Sequence, residues 1–231
     1  MRWLGHACFR IELPEGVVWL TDPPDPSVGY PEPAVSADVV TVSHEHFDHN
    51  HVSPVRGEPR VLRGLTPDGG WARVETEVDG ARFRTVGVFH DPEQGARRGR
   101  NAFFVVEAGD GQGGRRRYAH AGDLGHVLTA EQAAAIGPVD VLMVPVGGFF
   151  TLAPEEVPRV IEALHPRVVV PMHYATSRTQ GGHGRRGLPI QPLSSFLAVW
   201  KGPVRTLPDD APVEGSPLPE ATEVWAFETF R

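Results

Sequence analysis

Short apolar runs rich in β-branched residues recur along the chain and are separated by clusters of turn residues. Val39–Val42 is the clearest of them, and a run of that composition predicts a buried strand. The same pattern predicts strands over Trp3–Leu13, Val17–Thr21, Ala81–Phe89, Ala102–Glu107, Arg115–Ala121, Val139–Val146, Val168–Val170 and Thr222–Phe227. The chain is therefore expected to be rich in β-sheet.

Two helices are predicted between these strands. Thr129 and Gln132 have the spacing of a capping box, with Ala133–Ile136 as the helix body and Gly137 as its stop. Pro154–Leu164 is the second helix, because its two glutamates fall in the first turn, where the helix dipole favours acidic side chains. Alternating strands and helices predict an α/β protein built in layers.

We find no internal repeat and no linker that would divide the chain, so one domain over residues 1–231 is expected. A Pro-rich segment at 203–219 precedes the closing strand.

The net charge of −7 argues against a general nucleic-acid binder, which needs a basic face. The N-terminus lacks the pattern of a signal peptide or membrane span, so no membrane partner and a cytoplasmic location are expected. The single cysteine, Cys8, excludes an internal disulfide.

Metal-ligand side chains are concentrated directly after the strand at 39–42, where segment 43–49 reads Ser-His-Glu-His-Phe-Asp-His. Residues two apart in an extended chain point the same way, so His44 and His46 can bind one ion together. Asp48 and His49 follow the turn and can face a second ion. Imidazole and carboxylate ligands suit zinc, and also manganese or iron. A cation also removes the cost of burying so many polar groups together.

Three further candidates, His90, Asp123 and His173, each follow a strand-like run. Layered α/β proteins gather their site residues at strand ends, so we expect these side chains to meet the cluster at 44–49. A carboxylate can bridge two ions. The expected arrangement is one ion on His44, His46 and His90, a second on Asp48, His49 and His173, and Asp123 between them.

A His-x-His-x-Asp-His sequence after a buried strand resembles the signature of the metallo-β-lactamase superfamily, and the later ligands match its order. Gly5-His6-Ala7, Thr21-Asp22-Pro23, the segment 121–126 and Pro171-Met172-His173-Tyr174 resemble the branch that contains ascorbate-6-phosphate lactonase. The resemblance covers residues 2–178. It implies an αββα sandwich of two mixed sheets flanked by helices, with two metal ions at one edge. It also allows a homo-oligomer.

The expected activity is hydrolysis of a lactone, ester or phosphodiester by metal-bound hydroxide, with Asp48 as ligand and as the residue that orients water. Asp123 stands where common β-lactamases carry cysteine, and His46 stands where flavin-linked di-iron oxygen reductases carry an acid. Both features disfavour those activities. The alternatives left open are a phosphodiesterase or nuclease of the same fold and a non-catalytic metal-binding protein.

Residues around the expected centre are open to two interpretations. Asp22 either supports a ligand histidine or is an ordinary turn residue, and His6 either reaches the pocket or packs in the core. His126 is a substrate contact or a surface residue at a helix start. Arginines after His90 predict a small anionic substrate, with Arg100 and Asn101 preferred over Arg97 and Arg98. The segment 181–187, with Arg185 and Arg186, is either a flap over the site or a surface loop.

Overall fold

A five-stranded sheet is built from the first part of the chain, in the order β1-β2-β3-β4-β5. Its strands are β1 (Arg2–Gly5), β2 (Cys8–Glu12), β3 (Val18–Thr21), β4 (Val39–Val42) and β5 (Arg60–Arg63). The pairs β1/β2 and β2/β3 are antiparallel, whereas β3/β4 and β4/β5 are parallel, so the sheet is mixed. The computed structural model describes residues 1–179, 187–208, 211, 213 and 216–227.

The second sheet has eight strands in the order β12-β13-β11-β10-β9-β8-β7-β6. They are β6 (Glu75–Val78), β7 (Ala81–Phe89), β8 (Arg100–Gly109), β9 (Arg115–His120), β10 (Val141–Pro145), β11 (Val168–Met172), β12 (Val204–Leu207) and β13 (Glu223–Phe227). Pairing is antiparallel from β6 to β9 and parallel from β9 through β10, β11 and β13 to β12. Strands β7, β9, β10 and β11 therefore all run in the same direction.

Among the described residues of the second half of the chain there are three α-helices: α1 (Ala130–Ile136), α2 (Val157–Leu164) and α3 (Leu193–Val199). The predicted capping box is confirmed, because the Thr129 side chain accepts from the backbone of Gln132 while the Gln132 side chain accepts from the backbone of Thr129. Helix α2 buries an i, i+3, i+4, i+7 face made of Val157, Val160, Ile161 and Leu164. No helix in the described ranges is long and apolar enough to cross a membrane.

One hydrophobic core joins the two sheets. Phe9 and Trp19 from the first sheet and Phe83 and Phe103 from the second belong to the same buried cluster. Along β2 and β3 the neighbouring residues Cys8 and Leu20 enter a smaller cluster on the other face of the first sheet. The two sheets also meet through a backbone hydrogen bond of 3.2 Å from the Ala102 amide to the Ser43 carbonyl. The predicted layered α/β architecture is confirmed.

Some predicted bounds were wrong. The strand predicted over Trp3–Leu13 is a hairpin, because Gly5 and His6 have φ of 101° and 54° and turn the chain between β1 and β2. Helix α2 begins at Val157, so the two glutamates of the predicted helix precede it. The Pro-rich segment contains strand β12, which pairs with the closing strand β13. The predicted flap at 181–187 lies largely outside the described residues.

Strands that the pattern did not predict are those with polar or exposed side chains. β5 reads Arg-Val-Leu-Arg and β6 reads Glu-Thr-Glu-Val, and both lie at the end of their sheet's strand order. An edge strand has a neighbouring strand on one side only and is more exposed to solvent, so it needs fewer apolar residues. Helix α3 was missed as well, because it begins after Pro192 without a side-chain cap.

Candidate metal centre

Histidine and carboxylate side chains gather at one edge of the two sheets. Asp123 and His173 follow β9 and β11 of the second sheet, and His90 follows β7. These three strands run in the same direction, so their carboxyl ends reach the same edge. The loop after β4 brings the 44–49 segment there from the first sheet.

The ligand-type atoms at this edge form three groups, and within each group they all lie within 4.8 Å of one another. One group, made of Asp22, His44 and His49, shares a histidine with each of the other two. The first cluster consists of His44, His46 and His90. The second cluster consists of His6, Asp48, His49 and His173. Six of the seven residues expected to bind metal thus lie in these two clusters, and His6 joins the second; the assignment of the residues to two ions stays a prediction.

Asp123 lies between the clusters. Its Oδ2 atom is 3.1 Å from His90 Nε2 and 3.8 Å from His44 Nε2, both in the first cluster. The same oxygen is 3.4 Å from His173 Nε2, and Oδ1 is 3.2 Å from His49 Nε2, both in the second cluster. With 2% exposure, this carboxylate is almost sealed from water. Its position suits a bridging ligand.

The donor atoms at the centre of this arrangement fit metal ions. Five buried atoms of this centre have no hydrogen-bond partner: His6 Nδ1, His49 Nε2, both ring nitrogens of His173, and Asp123 Oδ1. Buried polar atoms are rarely left unpaired in native proteins, and their convergence at one point calls for a partner. Nitrogen and oxygen donors in this ratio suit zinc, manganese or iron.

Asp22 orients one histidine of each cluster. Its buried carboxylate accepts from His49 Nδ1 at 2.9 Å and from the Ser43 hydroxyl, whose oxygen lies 2.9 Å from His44 Nδ1. Because the Ser43 hydroxyl donates to Asp22, it accepts from His44. Both imidazoles then carry their proton on Nδ1 and present the Nε2 lone pair to the centre. Of the two interpretations of Asp22, the structure therefore favours support of ligand histidines.

Other contacts orient His90 and Asp123. The Phe150 carbonyl, 3.1 Å from His90 Nδ1, accepts the proton there and leaves Nε2 free to face Asp123. Asn101 is fully buried: its Oδ1 accepts from the Asp123 amide at 3.2 Å, and its Nδ2 donates to the Ala121 carbonyl at 2.8 Å. The Asn101 side chain therefore positions Asp123 and is not available to a substrate, contrary to expectation.

The charges around His49 show that this site favours a cation. Burial disfavours the imidazolium of His49, yet the carboxylates of Asp123 and Asp48 outweigh burial and hold the pKa of His49 well above its usual value. In the first cluster, by contrast, burial lowers the pKa of both His44 and His46. A metal ion at the second cluster would thus compete with a proton on His49.

Backbone strain is also concentrated here. Asp22, His6 and His173 have φ of 34°, 54° and 53°, a left-handed conformation that costs a non-glycine residue about 1–3 kcal/mol. The His173 amide donates to the His6 carbonyl at 3.1 Å, and the Trp3 indole donates to the same oxygen. The ring of His6 lies 4.0 Å from that of His173, and its Nε2 lies 3.1 Å from Asp48 Oδ2. His6 therefore reaches the centre.

The remaining candidates lie at the periphery. His126 accepts from the Phe89 amide and lies 2.9 Å from the Val127 carbonyl, so both ring nitrogens serve the local backbone. Arg97 pairs with Glu93 at 2.8 Å. Arg100 donates to the Gly69 carbonyl and lies over Trp71.

Arg98 differs from these two arginines. It is half-buried, it lies over the ring of Phe150, and no carboxylate in the described ranges is within ion-pair distance of it. Phe150 therefore contacts both residues: Arg98 lies over its ring, and its carbonyl contacts His90 of the first cluster. This differs from the expected preference for Arg100.

Sequence reasoning missed several supporting residues. Ser43 contacts Asp22 and His44, and the Phe150 carbonyl contacts His90; no local sequence motif predicts these contacts. Asp91 accepts four backbone N–H bonds from the loop 93–98 and so fixes the loop that carries Arg98. A recognisable signal was present here, because Asp-Pro after a strand is typical of a structured turn. His120 is buried between the Ala7 carbonyl and the Gly122 amide, next to Asp123.

Comparison with known proteins places this geometry in context. The sequence model of a family described as the beta-lactamase superfamily domain matches residues 1–173. A metal-dependent hydrolase of Pyrococcus abyssi is 31% identical over 76% of this chain and 84% of its own length. The crystal structure of a protein from Thermotoga maritima, assigned as a Zn-dependent hydrolase of the metallo-beta-lactamase superfamily, is 34% identical with a TM-score of 0.71, covering 98% of both chains. A metallo hydrolase of Ignicoccus hospitalis, 19% identical over 75% of this chain and 82% of its own with a TM-score of 0.53, shares the fold.

Proposed function

The chain belongs to the metallo-β-lactamase superfamily and is a metal-dependent hydrolase, and on that premise we propose that it cleaves a lactone, ester or phosphodiester bond with a binuclear centre. The observation that supports a binuclear centre is the position of Asp123 between two ligand clusters, within 3.1–3.8 Å of four histidines. We propose a small anionic molecule as the substrate and the cytoplasm as the compartment.

We assign His44, His46 and His90 to one ion, and Asp48, His49 and His173 to the other, with Asp123 shared. Two zinc ions are our first choice, with manganese or iron as alternatives. Ions held here would lower the pKa of a coordinated water and polarise the oxygen of the bond that is cleaved. The protein's part is to fix the ligands, which the contacts of Asp22, Ser43, Asn101 and Phe150 achieve.

Asp48 is our candidate for orienting the attacking water and taking up its proton. It is 17% exposed, whereas the carboxylates of Asp22 and Asp123 are 0% and 2% exposed, so it is the carboxylate of this centre that solvent reaches. His6 Nε2, 3.1 Å away, holds Oδ2 in place. In this proposal His6 is a positioning residue for Asp48.

Metal analysis and an activity panel test the proposal together. We expect about two transition-metal ions per chain after loading, because seven ligand side chains exceed the four that one zinc ion takes. The loaded protein should hydrolyse at least one of a generic ester, a lactone or bis(p-nitrophenyl) phosphate, and a chelator should stop it. At most one ion per chain, even with excess metal, would contradict the binuclear assignment.

The anionic substrate is tested through Arg98. Replacing Arg98 with alanine should raise KM for an anionic ester about tenfold and leave KM for a neutral ester unchanged, because a half-buried guanidinium contributes about 1.5 kcal/mol to a charge-assisted hydrogen bond. Steady-state kinetics on a matched pair of esters measures this effect. Arg97→Ala is the control, since Arg97 is already paired with Glu93. Equal changes for both esters would exclude Arg98 as the anion site.

A further inference from the structure

Two phenylalanines near the metal centre are exposed to solvent. In the described part of the chain only five large hydrophobic side chains are exposed, and Phe149 and Phe47 lead them at 60% and 57%. Scattered exposed apolar residues need no explanation, but Phe47 lies between two proposed metal ligands and Phe149 precedes Phe150, whose carbonyl contacts the proposed ligand His90. This placement prompts the question of what they contact.

Phe47 is held at the site by its own backbone. It lies between the ligand residues His46 and Asp48, and its carbonyl accepts from the Asp25 amide at 3.1 Å. The main chain of Phe47 is thus fixed by a hydrogen bond to the loop that contains Asp25 and by its covalent bonds to the two proposed ligands. The ring of Phe47 is left in solvent beside His46, which is itself exposed.

Phe149 is held by a loop that touches both ligand clusters. The loop follows β10, and at its start Gly147 packs so closely that an added Cβ would lie 2.2 Å from the His173 carbonyl oxygen. At its end the Phe150 carbonyl contacts His90 Nδ1. Phe149 lies between these two contacts, and its backbone has a φ of 57°. A strained residue with an exposed aromatic ring persists only where its surroundings impose it, and such residues cluster at binding sites.

We propose that Phe47 and Phe149 form an apolar subsite that binds an acyl or aryl group attached to the bond being cleaved. The inference rests on the proposed hydrolase function and names the substrate class more narrowly. Two side chains fall far short of the roughly 800 Å² per partner that a stable protein interface buries, so the occupant is a small molecule. Arg98, over the Phe150 ring, places the anion site on the same wall, so the substrate is amphiphilic.

The subsite is tested by binding rather than turnover. The probes are straight-chain hydroxamates from acetohydroxamate to octanohydroxamate, which bind zinc through the same group and differ only in chain length. Isothermal titration into the zinc-loaded protein should show affinity rising with chain length, up to about fourfold per methylene that is buried. Acetohydroxamate reports the metal centre and the longer members report the subsite.

Variants assign the effect to the two rings. Phe47→Ala and Phe149→Ala should each weaken octanohydroxamate binding about tenfold while changing acetohydroxamate less than about twofold. Phe149→Leu, which keeps an apolar side chain, should retain most of the gain. Val204→Ala is the matched control, because Val204 is 47% exposed on strand β12, whose end of the second sheet lies away from β7. Both phenylalanines are exposed, so these variants should fold, and circular dichroism checks that they do.

Two results would overturn the inference separately from the function. Equal affinity for all chain lengths, with acetohydroxamate still bound, would remove the subsite and leave the metallohydrolase proposal intact. A chain-length gain that persists in both alanine variants would place the acyl group elsewhere. If no hydroxamate binds the metal-loaded protein, the proposed centre and the subsite both fail.

Discussion

Replacing Asp123 with alanine should empty both metal sites and lower kcat/KM by at least about a thousandfold. Among the described residues, Asp123 is the one carboxylate within 4 Å of histidines from both clusters, so its loss would remove a ligand from each of the two proposed ions. Metal ions contribute several kcal/mol to the stabilisation of a hydrolytic transition state, and each 1.36 kcal/mol is tenfold in rate. Elemental analysis and steady-state kinetics measure the two effects.

Single-cluster variants provide the comparison for Asp123. His90→Ala should lower metal content by about one ion from the first cluster, and His173→Ala by about one ion from the second. Competition with a chromophoric chelator separates the two affinities. If all three variants lost one ion to the same extent, Asp123 would not bridge the clusters, and the proposed ligand assignment would be wrong.

Replacing Asp22 with alanine should weaken metal binding at both clusters about 10- to 100-fold and also destabilise the fold. Residues that orient metal ligands typically have an effect of this size on affinity. In addition, Asp22 is fully buried and lies 2.9 Å from His49 Nδ1, where the nearby carboxylates favour a protonated ring. Removing one partner from a buried pair costs about 3–5 kcal/mol of unfolding free energy.

Ser43→Ala is the control that isolates one branch of the Asp22 network. It cuts the link from Asp22 to His44 and leaves the contact between Asp22 and His49 in place. We therefore expect weaker binding at the first cluster alone. Urea denaturation of the metal-free proteins gives the stability difference. If Asp22→Ala affected only the second cluster, the connection through Ser43 would have no role.

The candidate ligands could be picked out from the sequence because each of them lies in the loop that follows a strand, and two of these strands are apolar throughout. Strands β4 and β11 are buried at every position, and their composition alone marks them. The two sheets pack so that the carboxyl ends of β4 and β11 reach one edge, where layered α/β folds gather their site residues. The division of the ligands between two ions, expected from local geometry at 44–49, stays a prediction.

Side chains that act through long-range contacts could not be predicted in the same way. Asn101 and Arg100 are neighbours on β8, yet Asn101 is buried against Asp123 while Arg100 lies outside against Trp71. Alternation along a strand sends neighbours to opposite faces, but which face carries the site depends on the sheet that forms around it. The turn at Gly5 and His6 was missed for a different reason: Gly5 was a signal for it, but the apolar residues on both sides also fit one continuous strand.

The order in which the ligands occur along the chain has a consequence for biosynthesis. The segment 44–49, with three histidines, leaves the ribosome before His173, which follows β11, and β11 pairs with β13, a strand further along the chain. Domains fold during synthesis from the N-terminal end, but this centre needs strands from both sheets. Until the segment after β11 has been made, a nascent chain therefore presents only part of the proposed set of imidazole and carboxylate ligands. The proposed centre could therefore bind its full set of metal ions only after strand β11 has been made and has paired with β10.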